Sequence, residues 1–187
     1  MACKIHPTAE VSEEANIGDG TSIWHQSQIR ERVHIGKNCN IGKGVYIDFD
    51  VVVGDDCKIQ NYVCLYHGVR LGSGVFLGPH CTFTNDFYPR SRSENWKVYE
   101  TIVEDGVSVG ANATIVCGIR LGKNCMIGAG SVVTKNVPPN ALVYGNPAKI
   151  HGWVCECGQR LEEKQGTMTC PECKKTVVVP ECETKEE

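Results

Sequence analysis

Every sixth residue of this chain is apolar. Counting from Ile5, the marks fall on Val11, Ile17, Ile23, Ile29, Ile35, Ile41, Ile47, Val53, Ile59, Leu65, Leu71, Leu77 and Phe83. The beat returns at Val103 and runs through Val109, Ile115, Leu121 and Ile127 to Val133. Gly often follows the mark, as at Gly18, Gly36, Gly54, Gly110 and Gly128, and a small or β-branched residue lies four places after it, as at Thr21, Ser27, Cys39, Val45, Cys57 and Cys81. An amphipathic helix repeats at three, four and seven, and a half-buried strand alternates, so a period of six fits neither. Short β-branched runs punctuated by Gly predict an all-β chain wound as a parallel β-helix. Two positions of each hexad face inward, each coil stacks on the next at about 4.8 Å, and the ends need caps.

Bulk properties narrow the function. The 187 residues carry a formal net charge of −3, which excludes a strong field drawing the chain to nucleic acid or acidic lipid. The opening MACKIHPTAEV has no long apolar run and no cleavage-site pattern, and no membrane-spanning apolar stretch follows. The expectation is a cytoplasmic protein with no nucleic-acid and no membrane partner. Twelve cysteines would suit a secreted disulfide scaffold, but several occupy one repeated hexad slot and four cluster near the C-terminus. Reduced thiols are the expected state.

The hexads IGDGTS, IGKNCN, VGDDCK and IGAGSV resemble those of the hexapeptide-repeat acyltransferases, over about residues 5–150. The resemblance implies a left-handed parallel β-helix with three hexads per coil. It also implies a homotrimer with active sites between subunits. In such a coil Cys39 lies beneath Cys57, and these cysteines, with Cys81 and Cys125, read as small inward fillers.

Between Phe83 and Val103 the rhythm breaks. Twenty residues separate the two marks, which is no multiple of six. A polar loop at 85–102 is therefore thrown out of the coil, with Phe87, Tyr88, Trp96 and Tyr99 among its aromatics and Arg90 and Arg92 as cations. Long loops on a regular scaffold are usually functional. Stepping back one coil from Asn85 lands on His67, so the two share a corner of the prism, roughly 5 Å apart on successive coils. Tyr66 is adjacent. His25 and Asn61 share another corner.

The segments KIQN, CTFTNDFYPRS, GANATIVCGI, IGAGSVVTKNVP and GNPAK are similar to those of the nucleotide-sugar N-acetyltransferases. That likeness implies direct transfer of an acetyl group from acetyl-CoA, in a ternary complex, to the 3-amino group of a UDP- or dTDP-linked sugar. The products serve surface-glycan pathways such as O-antigen synthesis. It casts Asn85 as the contact to the sugar amine. The proton goes either to His67, the best base by position, or to the departing CoA thiolate with no protein base, the route toward which the resemblance leans. Substrate contacts are expected from Asn61, Tyr66, Asp86, Arg90, Arg92 and Trp96. CoA contacts are expected from Gly110, Ala111, Ala129 and Lys149. The plain reading of Gly110 and Gly128 is turn geometry.

Beyond the β-helix acyltransferase domain (1–150) the composition changes. Cys155 and Cys157, then Cys170 and Cys173, form two short pairs that can close a tetrahedral thiolate site. A zinc-ribbon-like appendage with a structural Zn is expected over 151–180, and an acidic tail over 181–187. The first pair has one intervening residue instead of two, which strains its knuckle. Two further readings stay open. A γ-carbonic anhydrase would need three zinc-binding histidines, and the six here lack a closely spaced pair. A non-enzymatic β-helix binding or assembly module would need no cofactor.

Overall fold

The computed structural model describes residues 2–92, 96–164 and 167–179. Twenty short strands, nearly all of two residues, run from Lys4–Ile5 to Val132–Val133 and stack into three parallel sheets. The first sheet begins at Lys4–Ile5, the second at Glu10–Val11 and the third at Asn16–Ile17. Ser22 pairs with Asn40 and Lys58 with Phe76, so each coil consumes 18 residues and three hexads. The predicted three-sided parallel β-helix is present. No helix among the described residues is long and apolar enough to cross a membrane.

Burial follows the hexad. The marks from Ile23 to Phe83 and from Val103 to Val133 are buried, as are Val33, Cys39, Val45, Val51, Cys57, Val63, Val69, Val75 and Cys81 at the fourth place after a mark. The ends differ. Ile5 is 43% exposed and Val11 and Ile17 are half-buried, so the N-terminal coil is open. At the C-terminal end the chain leaves the hexad for a hairpin, Ala141–Gly145 with Ala148–Trp153, whose first strand continues the first sheet. A three-stranded antiparallel sheet follows, Glu162–Lys164, Thr167–Thr169 and Thr176–Val177. Trp153, Cys155, Leu161 and Cys170 join the solenoid's apolar core, so the appendage caps that end.

Corners have a fixed chemistry. The third residue after the marks from Ile17 to Leu77 and from Val103 to Ile127 takes a left-handed conformation, as at Gly20, Gln26, Arg32, Asn38, Gly44 and Asp50. Gly, Asn and Asp tolerate that region, which explains most of these positions. The Gly directly after a mark has another cause. A Cβ on Gly110 would lie 2.5 Å from the Ala129 backbone nitrogen one coil on, so that Gly exists for close approach between coils, not for turn geometry. This corrects the plain reading of Gly110.

Polar groups between coils are satisfied by ladders. Asp55 Oδ1 accepts from Lys37 N at 2.7 Å, Asn61 Oδ1 from Lys43 N at 2.9 Å and Asp105 Oδ1 from Ser73 N at 2.9 Å, all from the second place after a mark. A second ladder runs inside. Thr21 Oγ1 donates to the Gly36 carbonyl at 2.8 Å and accepts from Cys39 N at 2.9 Å. Cys39 Sγ donates to the Gly54 carbonyl at 3.1 Å and accepts from Cys57 N at 3.4 Å. Cys57 Sγ donates to the Gly72 carbonyl at 3.1 Å. These cysteines are therefore hydrogen-bonding members of the wall and not only fillers.

A test follows from the inner ladder. Thr21 shows that an oxygen reaches the carbonyl, so Cys39→Ser keeps the bonds. Cys39→Val removes them and leaves a buried carbonyl and N–H unpaired, a cost of about 1–3 kcal/mol. Urea denaturation is expected to rank the serine variant as the more stable of the two; the reverse order would assign Cys39 to packing alone.

Candidate active site

The register shows where the overhang leaves and returns. Thr82 pairs with Cys64 on one side, and Val69 pairs with Thr101 on the other. Across the loop the coil offset is 32 residues instead of 18, so 14 are extra. The strand Thr101–Val103 already belongs to the third sheet, which leaves 84–100 as the connection. Its root is held by Cys117 N donating to Thr84 Oγ1 at 3.0 Å and Gly118 N donating to Thr101 Oγ1 at 3.1 Å. The returning arm passes over Gly68, where a Cβ would come within 2.7 Å of Val98 Cγ1. Phe87 packs against Tyr88 and Tyr99, with centroids 5.0 and 5.6 Å apart, and Arg70 Nε meets Glu100 at 3.1 Å.

Beneath the overhang, Phe49, His67 and Asn85 occupy the same corner slot on three successive coils, because Tyr46, Cys64 and Thr82 are paired in turn. The His67 ring stacks on Phe49, centroids 4.3 Å apart, and lies 6.5 Å from the Trp96 ring. His67 Nδ1 is 3.0 Å from the Phe49 carbonyl oxygen. A carbonyl only accepts, so Nδ1 carries a proton, and in the neutral ring Nε2 presents a lone pair. Asn85 is half-buried. The slot it fills is the one from which Asn61 braces the preceding coil. Asn85 makes no such bond among the described residues, since the His67 N–H that would supply it goes to Asp48 Oδ2 at 3.3 Å. Its amide is left with open donor and acceptor groups at the root of the loop.

A charged network surrounds this corner. Asp48 Oδ1 accepts from Tyr46 Oη at 2.9 Å and Arg30 Nη1 at 3.1 Å. Arg30 also pairs with Glu31 at 2.7 Å, and Arg32 Nε with Asp50 at 2.8 Å. Asp50 lies 3.9 Å from His67 Nδ1. Hydrogen bonding from Arg32 holds the Asp50 carboxyl below its ordinary range, and burial pushes the Tyr46 phenol up. Bonds to Tyr46 and then Glu31 raise the Arg30 guanidinium further. Sequence reading missed Arg30, Tyr46, Asp48, Phe49 and Asp50. The 18-residue step would have found two pairs, since Arg30 sits beneath Asp48 and Arg32 beneath Asp50.

The other predicted residues divide. Tyr66 lies beside Tyr46, centroids 5.7 Å apart, next to the His67 corner. Asp86 Oδ1 accepts from Tyr88 N at 3.1 Å and shapes the loop. Arg90 donates to the Pro89 carbonyl at 2.7 Å, and Arg92 is exposed. Neither arginine forms an ion pair among the described residues. Asn61 sits on a different edge, the one carrying Gly110, Ala111 and Ala129 on later coils, so a single chain does not bring it to Asn85. Lys149 is exposed in the C-terminal hairpin opposite Tyr144, whose ring stacks on His151 at 3.6 Å.

The four appendage cysteines converge. Their sulfurs all lie within 4.8 Å of one another, with Cys155–Cys173 and Cys157–Cys170 each at 3.5 Å. A tetrahedral site with Zn–S bonds of about 2.3 Å has sulfurs about 3.8 Å apart, so the set fits. Each pair sits on a hydrogen-bonded turn: Gly158 N donates to the Cys155 carbonyl at 2.9 Å, and Lys174 N to the Cys170 carbonyl at 3.1 Å. The single residue between Cys155 and Cys157 does not prevent convergence. The Cys173 backbone N–H helps lower the Cys170 thiol to about 7, whereas the Cys155 and Cys157 thiols are shifted upward.

Comparison with known proteins agrees with this architecture. The family model for the bacterial transferase hexapeptide (six repeats) matches residues 14–48 and 50–85. That for the hexapeptide repeat of succinyl-transferase matches 32–67 and 100–135. Over 70 residues the chain is 50% identical to dTDP-3-amino-3,6-dideoxy-alpha-D-galactopyranose 3-N-acetyltransferase of Aneurinibacillus thermoaerophilus, covering 37% of this chain and 36% of that protein. It is 34% identical over 122 residues to a galactoside O-acetyltransferase of Lactococcus lactis, covering 62% and 53%. A solved structure of a GDP-perosamine N-acetyl transferase variant from Caulobacter crescentus, in complex with CoA and GDP-perosamine, aligns with TM-score 0.59 and 25% identity over 81% of this chain and 57% of that one. A hexapeptide-repeat containing acetyltransferase from Vibrio cholerae, complexed with acetyl coenzyme A, aligns with TM-score 0.57 and 26% identity over 65% and 71%. The chain spans about a third to a half of the length of these curated relatives. With its hexad core and three-sheet coil, the chain is built of hexapeptide repeats and is similar to the hexapeptide-repeat acyltransferases.

Proposed function

We propose that this chain is a cytoplasmic N-acetyltransferase that moves the acetyl group of acetyl-CoA to the 3-amino group of a UDP- or dTDP-linked sugar for surface-glycan synthesis. The observation that carries the reading is Asn85: an amide freed from the corner ladder, at the root of the overhang, one coil from a histidine with an open Nε2. The relative from Aneurinibacillus supports an amino-sugar acceptor, and the CoA-bound structures support the donor. Direct transfer needs both substrates together. The neutral amine attacks the thioester carbonyl, a tetrahedral intermediate forms, and the carbon–sulfur bond breaks to release CoA. Asn85 accepts from the amine and aims its lone pair. His67 Nε2 takes the amine's proton. Arg90 and Arg92 face the substrate's pyrophosphate. CoA runs past Ala111 and Ala129, with Lys149 at a phosphate. Asn61 and these CoA positions meet Asn85 only across a subunit boundary, which accords with a homotrimer.

The cysteine cluster is the second part of the proposal. Four thiolates hold a structural Zn, which leaves no open coordination position for chemistry. The metal ties the appendage that caps the solenoid.

Asn85→Ala is expected to lower kcat about 100-fold with an unchanged melting temperature, since misaimed reactants cost on that order. Wild-type turnover in a panel of UDP- and dTDP-amino sugars would discard the assignment. Replacing His67 with Asn is expected to cost about 100-fold as well; near-normal rates would hand the proton to the CoA thiolate. Untagged protein is expected to contain about one equivalent of Zn, with Cys170→Ser lowering both metal content and melting temperature. Metal below about half an equivalent would remove the zinc site.

A further inference from the structure

Among the described residues Asp48 is the only charged side chain on a buried residue, at 7% exposure. It lies outside the apolar core, directly after a mark, where many hexads carry Gly. An ionised carboxylate in such a place is costly unless fully bonded. Its oxygens are well supplied. Oδ1 accepts from Tyr46, Arg30 and Phe49 N, the last at 3.0 Å, and Oδ2 from His67 N at 3.3 Å.

Two of these bonds tie together the backbones of Phe49 and His67 on successive coils. The carboxylate holds the Phe49 N–H and the His67 N–H, and the Phe49 carbonyl takes the His67 Nδ1 proton at 3.0 Å. One side chain thus sets both ends of the bond that decides which imidazole nitrogen is protonated. We propose that Asp48 is a positioning residue that keeps His67 in its Nδ1–H form, with Nε2 free to accept. It rests on the reading of His67 as the base. The other charged groups at this corner are Asp50, beside the ring, Arg30 and Arg32, over the Phe49 ring at 5.3 and 5.9 Å, and Glu31, paired with Arg30.

Heteronuclear NMR of the imidazole nitrogens in the full chain tests this without substrate. Wild-type His67 is expected as the Nδ1–H tautomer. Asp48→Asn puts an amide where two acceptors stood, so an Nε2–H population should appear. In parallel kcat should fall about tenfold, with KM within about twofold. Tyr46→Phe removes one bond to Oδ1 and spares the two backbone bonds, so the tautomer should stay. Should the asparagine variant fail to fold, Asp48→Glu keeps the charge, displaces the carboxylate by one methylene and gives the same readout. A wild-type Nε2–H form, or an unmoved tautomer in the Asp48 variants, overturns the proposal. A moved tautomer with unchanged kcat keeps the positioning role and removes His67 as the base, so the two failures are distinguishable.

Discussion

The 18-residue register between coils is the constraint on which everything else rests. Each coil is too thin to bury anything alone, and its short strands pair only with the coils above and below. Register therefore sets the core, by stacking marks on marks, and the polar wall, by stacking corner slots on corner slots. Thr21, Cys39 and Cys57 pass hydrogen bonds up the inside of one edge, and Asp55, Asn61 and Asp105 brace corners from outside. The overhang is tolerated because Thr101 re-enters beside Val69 as though nothing had been inserted.

That regularity makes departures informative. A slot that bonds its neighbour is structural whatever its residue type, and a slot released from bonding is available for chemistry. Asn61 and Asn85 are the same residue in the same hexad position, yet one is consumed by Lys43 and the other is not. The difference arises at Asp48, which takes the His67 N–H that Asn85 would otherwise accept. Arg30 and Arg32 are paired with Asp48, Glu31 and Asp50, so the corner is nearly charge-balanced. Arg90 and Arg92 of the overhang lack an acidic partner among the described residues.

The two ends of the solenoid meet the capping problem differently. The N-terminal coil leaves Ile5 exposed, whereas the C-terminal end is sealed by a hairpin and a cysteine-rich sheet whose Trp153 and Leu161 extend the core. An appendage of this size has little apolar surface of its own, so its order depends on the solenoid and on whatever ties its four sulfurs.

The hexad, the break after Phe83 and the paired cysteines were all legible in the chain, because each is a spacing and spacing survives without coordinates. The fold class, the shared corner of His67 and Asn85 and the convergence of Cys155, Cys157, Cys170 and Cys173 came from such counting. What the tertiary structure alone decided is which like-placed residues are spent on holding coils together. Gly110 is small because Ala129 crowds it, Cys39 is polar in use, and Asp48 is buried outside the core. Each depends on which donor the neighbouring coil presents and how near it comes, and a one-dimensional period carries neither.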